Sequence, residues 1–155
     1  MSGVQEESRP ETLLVIDDDP RIHELVEFHL EGVVDEVSHA YGGRSGVDLA
    51  SRDQPDVILL DIDMPKLDGF AVCRELKEQE RTRDIPVLFL TADGEDHHIA
   101  KALDSGGIDY LTKPFVVVVL QARVRAALRT KRLIDLLKRE ARFDFLTGLG
   151  SRTSF

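Results

Sequence analysis

Cysteine is nearly absent: Cys73 is the sole thiol in 155 residues. One thiol excludes an internal disulfide and any cysteine-based zinc site. Long apolar runs are missing too. The longest, Phe115-Val116-Val117-Val118-Val119-Leu120, falls far short of the ~20 residues that span a bilayer. Residues 1–11 carry no apolar stretch and no cleavage pattern, so no secretory signal is expected. These absences predict a soluble chain in a reducing, cytoplasmic setting, with no membrane partner. Basic charge is also scarce: 20 Lys and Arg against 29 Asp and Glu leave a net charge of −9. An acidic surface repels phosphate backbones, so direct nucleic-acid binding is not expected.

What is present suits one compact unit with a short extension, since hydrophobic residues make up 42% and charged residues 32%. The charge is unevenly placed. Residues 1–120 hold 11 basic and 26 acidic residues, a net of −15, and residues 121–155 hold 9 basic and 3 acidic, a net of +6. Such a sign change marks an architectural boundary.

A strand-to-helix phrase recurs along the chain. Leu13-Leu14-Val15-Ile16 is a short apolar run that stops at Asp17-Asp18-Asp19-Pro20, reading as a strand buried on both faces. Asp19 then caps a helix with Pro20 at its first position, and Ile22, Leu25, Val26, His29 and Leu30 form its apolar stripe. Residues 33–40 give a weaker strand and 43–51 a helix. Val57-Ile58-Leu59-Leu60 is a second fully apolar strand ending at Asp61, and Asp68-Gly69 opens the next helix. Residues 85–90 form a strand ending at Thr91-Ala92. Asp93-Gly94 opens a helix closed by Gly106-Gly107, and residues 108–112 form a last strand before Lys113-Pro114. Gly107-Ile108 is expected to loosen that strand slightly. Five strands alternating with five helices predict an α/β, doubly wound, five-stranded parallel sheet. The last helix, residues 116–143, outruns the sheet and should leave it as a stalk. Its four valines cannot all face a core, so an apolar interaction surface is expected there. Leu133, Ile134, Leu136 and Leu137 could seed a helix–helix seam, although sustained heptads are missing.

In open parallel sheets function gathers at the carboxyl ends of the strands. Asp17 and Asp18 end the first strand, Asp61 the third, Thr91 the fourth and Lys113 the fifth. If the first strand lies beside the third, three carboxylates converge and raise one another's pKa values. A hard divalent cation with oxygen ligands, Mg²⁺, would offset that repulsion. A carboxylate held against Mg²⁺, with a lysine and a hydroxyl opposite, is a phosphoryl-acceptor arrangement. Asp61 supplies the nucleophile, Lys113 the cation and Thr91 the hydroxyl, while Asp17 and Asp18 anchor the metal.

At these residues the chain resembles the receiver domain of two-component response regulators. The motifs are Leu14-Val15-Ile16-Asp17-Asp18-Asp19, Asp61-Ile62-Asp63-Met64-Pro65-Lys66-Leu67-Asp68-Gly69, Thr91-Ala92, and Tyr110-Leu111-Thr112-Lys113-Pro114-Phe115. Each alone is modest; all four in order are highly specific. The resemblance covers residues 12–128 and implies a flavodoxin-like sheet of order 2-1-3-4-5. It implies that Asp61 accepts phosphate from a histidine kinase, and that Asp18 ligates Mg²⁺ directly. Asp17 would act mainly through water and Asp63 through its backbone carbonyl. Thr91-Ala92 and Tyr110 would form the switch, Lys113 would contact the phosphoryl group, and the bond before Pro114 would be cis. The unit would then be a regulatory domain rather than an enzyme, forming a homodimer on phosphorylation.

A second resemblance begins at Asp144-Phe145-Leu146-Thr147-Gly148-Leu149-Gly150-Ser151-Arg152, which is similar to the opening of a GGDEF-type diguanylate cyclase domain, with Ser151 at the usual asparagine position. The expected organisation is a disordered tail (1–11), a receiver (12–128), a helical stalk (129–143), and the start of a truncated output domain (144–155). Two rivals differ in class. Asp61-Ile62-Asp63 is also the D-x-D of haloacid-dehalogenase-type phosphatases, but that family wants Thr or Val where Pro65 stands, and its motif on the first strand. A pseudo-receiver used only for association would not need the intact acidic set. The remaining signals have bland readings. His29 is an edge-of-core residue, His97-His98 do not share a helix face, Cys73 is a small core residue, Asp68 is a cap, and Arg123, Arg125, Arg129, Lys131 and Arg132 are a solvated helix face.

Overall fold

The computed structural model describes residues 9–92 and 96–147. Most of the expected tail, the Asp93-Gly94 helix opening, the side chains of Asp96, His97 and residues 144–147, and the output motif from Gly148 onward lie outside the described residues. The elements run β1 (Thr12–Ile16), α1 (Pro20–His29), β2 (Glu36–Ala40), α2 (Gly43–Asp53), β3 (Val57–Asp61), α3 (Gly69–Glu78), β4 (Val87–Thr91), α4 (Asp96–Asp104), β5 (Asp109–Thr112) and α5 (Val117–Thr147). The strands form one parallel sheet in the order β2-β1-β3-β4-β5. This is the expected doubly wound α/β architecture, with the order reversing between β1 and β3.

The uninterrupted apolar runs of β1, β3 and β4 follow from that topology, because helices cover both faces of the inner strands. On one face Leu14, Ile16, Ile58, Leu60 and Phe89 pack with Val47, Val72, Cys73 and Leu76 of α2 and α3. On the other, Leu13, Val15, Leu59 and Leu88 pack with Val26 and Leu30 of α1 and Leu120, Val124, Ala127 and Leu128 of α5.

Two strands are shorter than their apolar runs suggest. β2 starts at Glu36, because Val33 and Val34 both donate backbone N–H bonds to Leu30 O and close the end of α1 as a turn. β4 starts at Val87, because Pro86 has no N–H for the ladder and contributes only its carbonyl, to Ile58 N. Before β5, a β-carbon on Gly107 would run into the Phe89 ring. The glycine is therefore what lets that large side chain fill the core, and β5 begins at Asp109 rather than at Ile108. The α1 stripe is also rotated from expectation: His23 is buried beside Val26, while Leu25 is 37% exposed.

Helix α5 has 31 residues, about 46 Å at ~1.5 Å per residue, whereas a five-residue strand spans ~17 Å. It therefore outruns the sheet. Beyond Leu128 it is held beneath the strands by Arg132 to Glu11 (2.7 Å) and Lys138 to Asp84 (2.8 Å). Of the basic residues expected on a solvated face, Arg125 and Arg129 are exposed, whereas Arg123 pairs with Asp109, Lys131 with Asp135 and Arg132 with Glu11. Val116, Val118, Leu133, Leu136 and Leu137 are exposed. Among the described residues no helix is long and apolar enough to cross a membrane.

Candidate functional site

The Asp17-Asp18-Asp19 triplet divides into three tasks as the chain leaves β1. Asp17 is fully buried, and its N–H donates to Ala40 O at 3.2 Å, extending the β1–β2 pairing by one residue. Its Oδ1 accepts the N–H of Asp19 at 2.9 Å, an Asx-type turn. Asp19 in turn accepts the N–H of Arg21 and starts α1 with Pro20 at its first position. Asp18, between them, is exposed.

Asp61 reaches the same place from β3. Its register partner is Leu90, and the following N–H of Ile62 still donates to Leu90 O at 3.0 Å. The side chain therefore leaves the sheet at its edge, yet remains 3% exposed. The loop after it folds back so that Gly69 N donates to Ile62 O at 2.9 Å and Asp68 caps α3. A β-carbon on Gly69 would collide with the Asp61 carbonyl oxygen and come within 2.8 Å of Ile62 Cα. Only glycine allows the start of α3 to close on the Asp61 backbone this tightly.

Lys113 enters from β5. Its N–H donates to Thr91 O at 2.8 Å, continuing the β4–β5 ladder, and the Lys113–Pro114 peptide is cis. Its Nζ lies 2.9 Å from Asp17 Oδ2 and 3.2 Å from Asp61 Oδ1, so one ammonium bridges two buried carboxylates 44 residues apart in sequence. The Thr91 side chain is buried at the end of β4, one residue beyond Asp61's register partner, and Ala92 beside it is exposed. Asp63 is exposed, and its N–H donates to Asp61 Oδ1 at 3.3 Å. Tyr110 lies farther down the sheet, opposite Phe89, half-buried against the α2–α3 side of the core.

The electrostatics are those of an acid cluster short of positive charge. Burial and the neighbouring Asp17 push Asp61 from 3.8 up to about 6, against the opposing pull of Lys113. Burial works against the Lys113 ammonium, but its bonds to Asp17 and Asp61 outweigh that and raise its pKa. Ligand oxygens of Asp17, Asp18 and Asp61 lie within 4.8 Å of one another, and Asp18 keeps the cluster open to solvent. The donor set is oxygen only, negatively charged and accessible, which fits a hard cation such as Mg²⁺. Burial first and repulsion from Asp17 second hold the Asp61 pKa up, and a bound cation would offset both.

A pair of histidines was not foreseen. His23 is 2% exposed, and its Nε2 contacts the backbone oxygen of Asp17 at 2.7 Å. Its Nδ1 meets Nδ1 of His39 at 2.8 Å, and His39 Nε2 meets Glu27 Oε1 at 3.0 Å. His23 is near the start of α1 and His39 is on the edge strand β2. Nothing local in the sequence pairs residues 16 apart on different elements.

The family model of the response regulator receiver domain matches residues 13–125. The DNA-binding dual master transcriptional regulator RpaA of Synechocystis sp. is 52% identical over 117 residues, which cover 76% of this chain and 48% of that protein. The response regulator PleD of Caulobacter vibrioides is 46% identical over 145 residues, covering 90% of this chain and 32% of that protein. The chain thus spans about half the length of the first relative and a third of the second. Among solved structures, the receiver domain of the sensor histidine kinase PA1611 from Pseudomonas aeruginosa PAO1, with a magnesium ion coordinated in its active-site cleft, aligns with a TM-score of 0.71. It is 31% identical, and the match covers 77% of this chain and 98% of that one.

Proposed function

Because the chain belongs to the response regulator receiver family, we propose that it is a phosphorylation-dependent switch in which Asp61 takes a phosphoryl group from a sensor histidine kinase. The observation that carries this reading is the bridge of Asp17 and Asp61 by Lys113, with Asp18 open beside them. An Asp61 carboxylate oxygen forms the new bond to phosphorus as the bond from phosphorus to the donor nitrogen breaks. Asp17, Asp18, Asp61 and the Asp63 carbonyl would hold Mg²⁺, which supplies charge to neutralise the equatorial phosphoryl oxygens. Lys113 is already within hydrogen-bond reach of the acceptor, so its ammonium can follow the new anion. The Thr91 hydroxyl and the Ala92 backbone N–H, at the end of the adjacent strand, would donate to that anion. Movement of the loop after β4 toward it would vacate space for Tyr110 to rotate. A surface built by α4, β5 and α5 would then change, shifting the equilibrium toward a homodimer.

The finer reading concerns the output. Residues 12–128 act as the receiver, 129–143 as a stalk, and 144–155 begin an attached domain of diguanylate cyclase type, activated when two stalks align. The support is the motif at 144–152 and the similarity to PleD, which covers more of the chain than that to RpaA does. RpaA, described as DNA-binding, shows that similar receivers also serve another kind of output.

Acetyl phosphate with Mg²⁺ tests the central claim. The wild type gains one phosphoryl group by intact mass and Asp61→Asn gains none; equal labelling of both refutes the assignment. Steady turnover of phosphomonoesters would instead favour a phosphatase.

A further inference from the structure

We propose that His23, relayed through His39 to Glu27, is a positioning residue for the cation site, holding the peptide plane that joins Asp17 to Asp18. The proposal rests on the reading of Asp17 and Asp18 as cation ligands and adds a part that the acidic cluster itself does not contain.

Asp17 lies just past the end of β1, and among the described residues no strand N–H pairs with its carbonyl. His23 Nε2, at 2.7 Å, is the partner of that oxygen, and it reaches it from within the protein. A carbonyl only accepts, so Nε2 of His23 carries the proton. At the far end the Glu27 oxygen also accepts, so Nε2 of His39 donates to it. Between the rings two Nδ1 atoms meet at 2.8 Å, which requires one donor and one acceptor. The contact between the rings ties the orientation of His23 to that of His39, which Glu27 holds from the other side.

The Tyr41 ring lies across His23 with centroids 4.1 Å apart, limiting its rotation. The consequence falls on the site because the peptide unit is planar. Holding the Asp17 oxygen, with the Asp17 N–H held by Ala40, fixes the orientation of the unit from which both the buried Asp17 and the exposed Asp18 side chains project. Partners one step beyond the ligands commonly set metal affinity in this way.

Calorimetric titration of Mg²⁺ into the full chain tests this, alongside thermal unfolding without Mg²⁺. His23→Leu is expected to weaken Mg²⁺ binding about tenfold. His23→Gln, which keeps an N–H for the carbonyl, should recover most of that loss. His39→Leu touches neither Asp17 nor Asp18, and should still weaken binding several-fold by freeing the His23 ring. If His23→Leu does not fold, His39→Leu decides alone: weaker binding supports the relay and unchanged binding overturns it. A lowered unfolding temperature with Mg²⁺ affinity within ~twofold of wild type in both leucine variants would make the histidines merely structural and overturn the proposal. Absence of Mg²⁺ binding by the wild type would overturn the cation-site reading itself and the relay with it.

Discussion

Removing the charge of Asp61 should stabilise the metal-free protein at neutral pH, although the residue is the proposed chemical centre. The Asp61 carboxyl is raised from 3.8 to about 6 by burial and by Asp17. A group whose folded pKa lies above its unfolded value binds more protons when folded. Stability therefore falls as pH rises from about 4 through about 6. The difference of about 2 units, at ~1.4 kcal/mol each, is about 3 kcal/mol lost by pH 7. Asparagine has no charge to bury, so Asp61→Asn escapes this loss. Urea unfolding followed by circular dichroism in EDTA should show Asp61→Asn up to about 3 kcal/mol more stable than wild type at pH 7. The difference should shrink toward zero at pH 4. Saturating Mg²⁺ should close the gap at pH 7 by stabilising the wild type through binding. No gain at pH 7, or an equal gain at pH 4, would refute the electrostatic reasoning.

Further outcomes follow from the same geometry. Mg²⁺ must displace the Asp61 proton below pH 6, so calorimetry in buffers of different ionisation enthalpy should register release of most of a proton at about pH 5.5 and little at about pH 7.5. Lys113→Met leaves two buried carboxylates without their shared ammonium and should cost about 3 kcal/mol in metal-free unfolding. It should also enlarge the rise in unfolding temperature on adding Mg²⁺, because the competing cation is gone. Gly69→Ala drives a β-carbon into the Asp61 carbonyl and should cost about 2 kcal/mol or more in denaturant unfolding. Asp56→Ala removes the buried acceptor of Thr12 N–H and Arg9, and should cost about 1–3 kcal/mol by the same measurement.

Much of this molecule is legible without coordinates, for reasons that are local. The apolar runs at 13–16 and 57–60, each stopping at Asp, announce strands covered on both faces. Asp19-Pro20 and Asp68-Gly69 mark helix starts because capping chemistry is decided within three residues. The elements fell where these signals placed them, and they failed where a neighbour intervened: Pro86 shortened β4, and the Leu30 carbonyl turned Val33 and Val34 into the end of α1. The candidate acids and the lysine could likewise be chosen by position, since each terminates a strand of a doubly wound sheet.

Tertiary structure decided what depends on distances between elements. That one ammonium spans Asp17 and Asp61, and that burial lifts Asp61 to about 6, requires β1, β3 and β5 to be stacked in their final register. That His23 rather than Leu25 faces inward reflects a small rotation of α1, which a stripe of alternating apolar residues does not specify. Its meeting with His39 joins a helix to an edge strand, and no sequence periodicity encodes such a pairing. Local chemistry is written in the order of residues, whereas electrostatic coupling is written only in their separations once the chain has folded.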